Sequence, residues 1–476
     1  MSWKSGLLAL AMICVACGGD DAAPPDAPLQ SAGAATLDTA TGAAASGNEP
    51  AAADHAASAN LATEAVAGDA VRAPGATAAE TVSASTSSVR EKAPAQIRGI
   101  YLNAYGAGSR ARLAKLLALA DTTELNTFVV DVKDEKGIHY RSALALPTEL
   151  ALQGEQTLGN LSAFVDTLHA HGIHAIARIV VFKDPILSKA KPDWSIRTPD
   201  GELWLDKAGN TWVSAWDPAV WDYNIAIAEE AARAGFDEVQ FDYVRFPEPY
   251  PSLPEQVHTH ANGTRTQAIV AFLQRARARL HPLGAIVAAD VFGLSPNDGR
   301  DINIGQQWED VLASADHVLP MVYPSHYLPT HLKGVPTPNR MPYETVFTSV
   351  GIGMVRIKRL RALGVRTARV IPWLQAFSAP WVDREYEYGA EQADAQIRAV
   401  YDVGLEDWIF WHPGSRYEHL SAAFARELKP SAREFTAPDE LVRQTDLVDR
   451  AGAAAARERV AAEHGRRTGA AATGMH

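Results

Sequence analysis

The residues of this chain best suited to chemistry lie in the segment DEVQFDYVRFP, where Asp242 ends an alternating run and Arg245 and a Phe246-Pro247 turn follow. In an extended strand successive side chains point to opposite faces, so Glu238, Gln240 and Asp242 share one side and Val239 and Phe241 the other. The same parity in AIVAADVFG sets Ala288 and Asp290 on one face. Two carboxyl groups meeting at strand ends can cleave a glycosidic bond, one attacking the anomeric carbon while the other protonates the leaving oxygen. That division needs unequal acidities. Ala288, Ala289, Val291 and Phe292 would desolvate Asp290, which suits an acid/base, whereas Asp242 near Arg245 would stay ionised, which suits a nucleophile. Neighbouring strands favour the shorter carboxyl separation of about 5 to 5.5 Å, and so retention of anomeric configuration.

Residues so placed need a scaffold that delivers strand ends to one rim. From Ile97 onward, short apolar runs alternate with helical patterns. RGIYLNAY precedes ARLAKLLALA, NTFVVDVKD precedes LSAFVDTLHAHG, and HAIARIVVF precedes AVWDYNIAIAEEAARAG. The alternation continues through DEVQFDYVRF, AIVAADVFG, DHVLPMVYP, ARVIPWLQAF and EDWIFWHPGS, each with a helical partner. Such alternation implies parallel strands covered by helices, and eight units fit a closed (β/α)8 TIM barrel. No GxGxxG follows the first strand, which argues against a doubly wound sheet.

In such a barrel the C-terminal strand ends and the loops after them carry the functional groups. Those ends supply Tyr101, Asp131, Lys133, Arg178, Arg245, Tyr323, Trp373, Gln375 and Trp411, which we assign as substrate-binding beside the catalytic candidates Asp242 and Asp290. Aromatic faces stack on pyranose rings and charged groups bind hydroxyls, so the inventory suits a sugar site. Asp131 and Lys133 are equally readable as an ion pair with each other. The long segment after the third strand holds Trp194, Trp204, Trp212, Trp216 and Trp221. Five indoles predict a folded lid, with one or two of them reaching ligand and the rest forming its own small core.

Composition narrows the partners. A net charge of -12 disfavours nucleic acid. The only cysteines, Cys14 and Cys17, lie in the first apolar run, so the folded part has no thiolate metal site or cysteine nucleophile. No HExxH and no GxSxG is present, and no metal or cofactor is expected.

Lys4 and the stretch GLLALAMICVA read as a signal peptide over 1–17, ending in a lipobox-like CVAC whose Cys17 would be lipidated. Residues 18–96 are rich in Ala, Pro, Ser and Thr and lack aromatics, the composition of a disordered linker. The barrel domain is expected over 97–430, and 431–476 is a charged, Ala-rich tail. The chain is thus expected to be exported to the bacterial cell envelope and tethered to a membrane.

The run GFDEVQFDYVRFP, together with VVDVKDEKG, RIVVFKD and AADVFG, resembles a bacterial family of glycosyl hydrolase domains of unknown specificity. The resemblance covers about Ile97 to Lys429 and implies a TIM barrel in the neighbourhood of the α-amylase-like enzymes. It implies a nucleophile at Asp242. Gln240 stands where amylases place an Arg, and Asp290 where they place a Glu. The expected activity is hydrolysis or transglycosylation of an envelope or extracellular polysaccharide. The alternatives are a carbohydrate-binding barrel without turnover and a surface spacer.

Overall fold

The computed structural model describes residues 93–425, 428–431 and 433–436. Cys17, the leader, nearly all of the linker and most of the tail lie outside the described residues.

Eight strands follow the apolar runs: β1 Arg98–Leu102, β2 Thr127–Asp134, β3 His174–Val180, β4 Glu238–Asp242, β5 Ile286–Phe292, β6 His317–Met321, β7 and β8. Strand β7 is in two pieces, Arg369–Val370 and Trp373–Gln375, and β8 is Trp408–Trp411. All neighbours pair in parallel, and β1 pairs with both β2 and β8, which closes the sheet into a barrel. An open doubly wound sheet is thereby excluded.

The outer coat is α1 Arg110–Asp121, α2 Leu161–Ala170, α3 Pro218–Arg233, α4 Arg265–Leu280, α5 Trp308–Ser314, α6 Pro342–Ala362, α7 Ala390–Asp402 and α8 Ser421–Phe424. Their starts are written in the sequence. Asp217 caps α3 ahead of Pro218, Asn160 caps α2, and Thr264 with Gln267 makes a reciprocal capping box on α4.

Period two sorts the strand side chains into two cores. Val239, Phe241, Val287 and Ala289 pack outward against the helices, whereas Val129, Ile176, Ala288, Leu319, Ile371 and Ile409 fill the barrel interior. Below them, Glu238 of β4 is fully buried between His317 (2.9 Å) and His174 (3.3 Å). Burial favours the neutral acid, but the two imidazoles outweigh it and hold the Glu238 carboxyl down at about 2.

The first described residues of the tail are docked on the helical coat. Ser431 bonds to Asp402 of α7, Arg433 lies over Phe347, and Phe435 packs edge-on against Phe347 at 5.3 Å. Gly351 of α6 makes the crossing possible, because a Cβ there would stand 2.3 Å from the Phe435 ring.

Candidate active site

Asp242 ends β4, and its two oxygens are held separately. The Tyr243 amide donates to Oδ1 (2.6 Å), and Arg178 of β3 donates through Nε (3.0 Å) and Nη2 to Oδ2. Tyr243 sits at φ +49°, a region that non-glycine residues seldom occupy, so the backbone is strained immediately after the carboxylate. The same guanidinium donates through Nη1 to Asp131, which also accepts from the Tyr101 hydroxyl. One buried cation thus joins two carboxylates from β2 and β4.

Asp290 on β5 is held by neutral donors. The Gln240 amide and the Trp373 indole (2.7 Å) both donate to its Oδ1, while Oδ2 is buried without a hydrogen-bond partner among the described residues. Burial drives its carboxyl well above the usual carboxylate range, and the charge of Asp242 adds to the rise. An unpartnered buried oxygen is costly as an anion and tolerable as a protonated acid. Asp131, also desolvated but partly compensated by Arg178, is raised to about 6. Arg178 therefore binds two of the three carboxyl groups directly, and Asp290 stands beside them with a raised proton affinity of its own.

Arg178 supplies the counter-charge that the sequence suggested Arg245 would give. Arg245 is buried against Glu248 (3.2 Å) and the rings of Trp212, Tyr243 and Phe292. Gln240, which departs from the amylase-like resemblance, turns to Asp290.

Lys133 leaves the cleft altogether. A register shift between Asp131 and Lys133 in β2 sets Lys133 opposite Ile179, an outward position, where its ammonium pairs with Asp184 at 2.8 Å and lies over the Tyr223 ring. Neither the substrate contact nor the pairing with Asp131 holds. Lys133→Met should lower folding stability by roughly 3 to 5 kcal/mol by stranding Asp184 in the interior. Urea unfolding checks it, and KM per folded molecule should not change.

Gln375 is also fully buried and committed to backbone, accepting from the Ser325 amide (3.0 Å) and donating to the Phe377 carbonyl (2.8 Å). It fixes two rim loops and offers nothing to a ligand.

The aromatic candidates do converge. Trp411 lies 5.9 Å from Tyr101 and 5.6 Å from Tyr323, and Tyr101 meets Trp373 edge-on at 6.3 Å. Phe377, in the loop after β7, closes the group 5.3 Å from Trp411. Sequence reading passed over Phe377; its signal was an aromatic two residues beyond a strand end.

The insertion after β3 is folded, as its indoles predicted. Short antiparallel bridges join Ser195 to Val213 and Leu205 to Thr211, and Arg197 bridges to Val257 in the loop after β4. Trp204 and Trp212 are fully buried, with indoles donating to the Pro254 carbonyl and to Asp206. Trp216 packs on Phe246, and Trp221 donates to the Ala215 carbonyl. These four indoles join the insertion to the main core between barrel and helices rather than forming a separate small core, and Trp221 itself lies on α3.

A closed barrel of eight βα units with an acidic, aromatic-walled mouth is a (β/α)8 barrel of the kind that cleaves glycosidic bonds. Residues 99–417 match the family described as "Putative glycosyl hydrolase domain", and the chain belongs to that family. It is a glycosyl hydrolase by family. A hypothetical protein from Ruminiclostridium thermocellum ATCC 27405 is 36% identical, over 40% of this chain and 97% of that one, with a TM-score of 0.37. The PgaB (BpsB) glycoside hydrolase domain from Bordetella bronchiseptica is 14% identical, over 70% of this chain and all of that one (100%), with a TM-score of 0.50. That likeness shows the fold. TtGalA, an alpha-galactosidase from Thermus thermophilus, is 15% identical over 73% of this chain and 66% of that one, with a TM-score of 0.39. No curated protein matches the chain in sequence.

Proposed function

We propose that this protein is a retaining glycoside hydrolase, or a transglycosylase by the same chemistry, acting on an envelope or extracellular polysaccharide. The observation that carries the reading is the contrast between two carboxyl groups on adjacent strands: Asp242 charge-paired with Arg178, Asp290 desolvated with one oxygen unpartnered. Environments that differ in this way divide nucleophile from acid.

Phe241 and Ala289 are register partners, so Asp242 and Asp290 come next on the same inner face of neighbouring strands. Parallel strands run about 4.8 Å apart, which supports the short carboxyl spacing of retaining enzymes. In the first step Asp242 forms a bond to the anomeric carbon as the bond to the leaving oxygen breaks, and Asp290 gives its proton to that oxygen. In the second, water or an acceptor hydroxyl attacks, Asp290 takes its proton, and Asp242 leaves. Tyr101, Tyr323 and Trp411 form the wall against which a sugar ring would stack, the fully buried Trp373 holds Asp290 from behind, and Arg178 with Asp131 holds the nucleophile in place.

The indole of Trp373 stabilises the ionised form of Asp290, so Trp373→Phe should raise the acid's pKa further. The acid then stays protonated to higher pH. The alkaline limb of kcat/KM should move upward by about one pH unit, read from a pH–rate profile. A limb that stays put or moves down would remove Asp290 as the acid.

A second reading, a carbohydrate-binding barrel without turnover, is favoured by the 1% exposure of Asp290, whose acid meets substrate only if neighbouring side chains shift. Incubating the purified protein with a glycan library decides between them. Released sugars, identified by mass and seen by NMR to keep their anomeric configuration, support the enzyme; binding without product supports the second reading. We further propose export and a lipid anchor on Cys17, tested by labelled fatty-acid incorporation that Cys17→Ser should abolish.

A further inference from the structure

The aromatic wall does not stop at the barrel mouth. Beyond Phe377 it continues to Trp381, whose ring lies 6.0 Å from Phe377 at an interplanar angle of 19°. Trp381 is 52% exposed, and Val382 beside it is 49% exposed. A single exposed apolar side chain needs no explanation, but this one ends a continuous run of rings that begins at Tyr101 above Asp131.

The loop that carries it is held firmly. Val382 and Asp383 donate their amides to the Ala379 carbonyl, Asp383 accepts from Arg340, and the Tyr388 hydroxyl donates to the Asn339 carbonyl (2.9 Å). The indole is therefore presented on a braced loop outside the cleft. Fixing an aromatic face in advance lowers the entropy lost on binding, which is how a stacking platform gains affinity.

Resting on the hydrolase reading, we propose that Trp381, backed by the buried Phe377 ring, forms a stacking subsite outside the mouth that holds a further stretch of the substrate chain. The substrate class is then a polysaccharide bound along its length rather than a small glycoside. Continuity with the rings over the acid cluster selects this occupant: Phe377 joins the exposed Trp381 face to Trp411, so a chain seated on Trp381 lies at the outer end of the same aromatic run that reaches the carboxylates.

The test is gel retardation of the full-length Asp242→Asn protein, with soluble starch, a mixed-linkage β-glucan, a galactomannan and glycol chitin as probes. Adding Trp381→Ala should weaken binding to the retarding probe by ~10-fold or more, whereas Trp381→Phe, which keeps a ring, should stay within about three-fold of the parent. The exposure of Trp381 makes both changes compatible with folding, and circular dichroism verifies it. Equal binding of parent and Trp381→Ala overturns the subsite, as does Trp381→Phe binding as weakly as Trp381→Ala, or a parent that no probe retards. If wild type releases sugar from a probe that Trp381→Ala binds as tightly as the parent, only the subsite fails. If Trp381→Ala loses retardation while wild type releases nothing, the subsite stands and the hydrolase reading fails.

Discussion

Asp242→Asn should lower kcat by on the order of 10⁴-fold on any glycan the wild-type protein cleaves, with KM little changed. The substitution keeps the shape of the side chain; its single amide oxygen can still accept from Arg178, while its NH2 then faces the Tyr243 amide and that one bond is lost. It removes the charge that attacks the anomeric carbon. Binding contacts from the aromatic wall are untouched, so the loss belongs to the transition state. Asp290→Asn should behave differently, since an acid matters most when the leaving group is basic. Its loss should be severe on natural sugars and much smaller on aryl glycosides with acidic phenols. Single-turnover assays on both substrate types separate the roles. An Asp242→Asn protein with more than about a tenth of wild-type kcat would remove Asp242 as nucleophile.

How much of this arrangement the sequence disclosed follows from what one strand can and cannot say. Period two within β4 and β5 was enough to send Asp242 and Asp290 inward and Val239 and Phe241 outward, because parity is a local property. Pairing between strands is not. Arg245 is much nearer Asp242 along the chain than Arg178 is, and only the parallel register of β3 beside β4 reveals Arg178 as the partner. Lys133 was misplaced for a related reason: one irregular residue in β2 reverses parity, and nothing in VVDVKD marks where that occurs. Gln375 kept the expected parity, but its partners are backbone groups of two loops whose paths the sequence does not specify. The segment AFSAPW contained both the exposed ring of the outer subsite and the buried ring behind it, yet without the loop's path Trp381 was one tryptophan among ten between Trp194 and Trp411.

A stability loss as large as that at Lys133, and with a distinctive pH dependence, is expected at the opposite end of the barrel from the mouth. Glu238 shares the inward face of β4 with Gln240 and Asp242, but it lies fully buried among His174 and His317. Its Oε1 has no hydrogen-bond partner among the described residues, so the two imidazoles are what make the charge tolerable. Glu238→Gln removes that charge and leaves two buried imidazoles facing an amide, which should cost roughly 3 to 5 kcal/mol of folding stability. The pH dependence has a definite sign. The folded carboxyl sits at about 2 against 4.5 for the free side chain, so its contribution is fully present above about pH 4.5 and is lost as pH falls toward 2. Asp131 works the other way. Raised to about 6 from 3.8, it makes the fold less stable as pH climbs from about 4 through 6. The informative quantity is therefore the difference between wild type and Glu238→Gln, measured by urea unfolding between pH 2.5 and 5.5, a range in which Asp131 contributes equally to both. That difference should shrink steadily on the acid side. A constant difference would mean that Glu238 is held by packing alone, and that the histidines on β3 and β6 do not carry its charge.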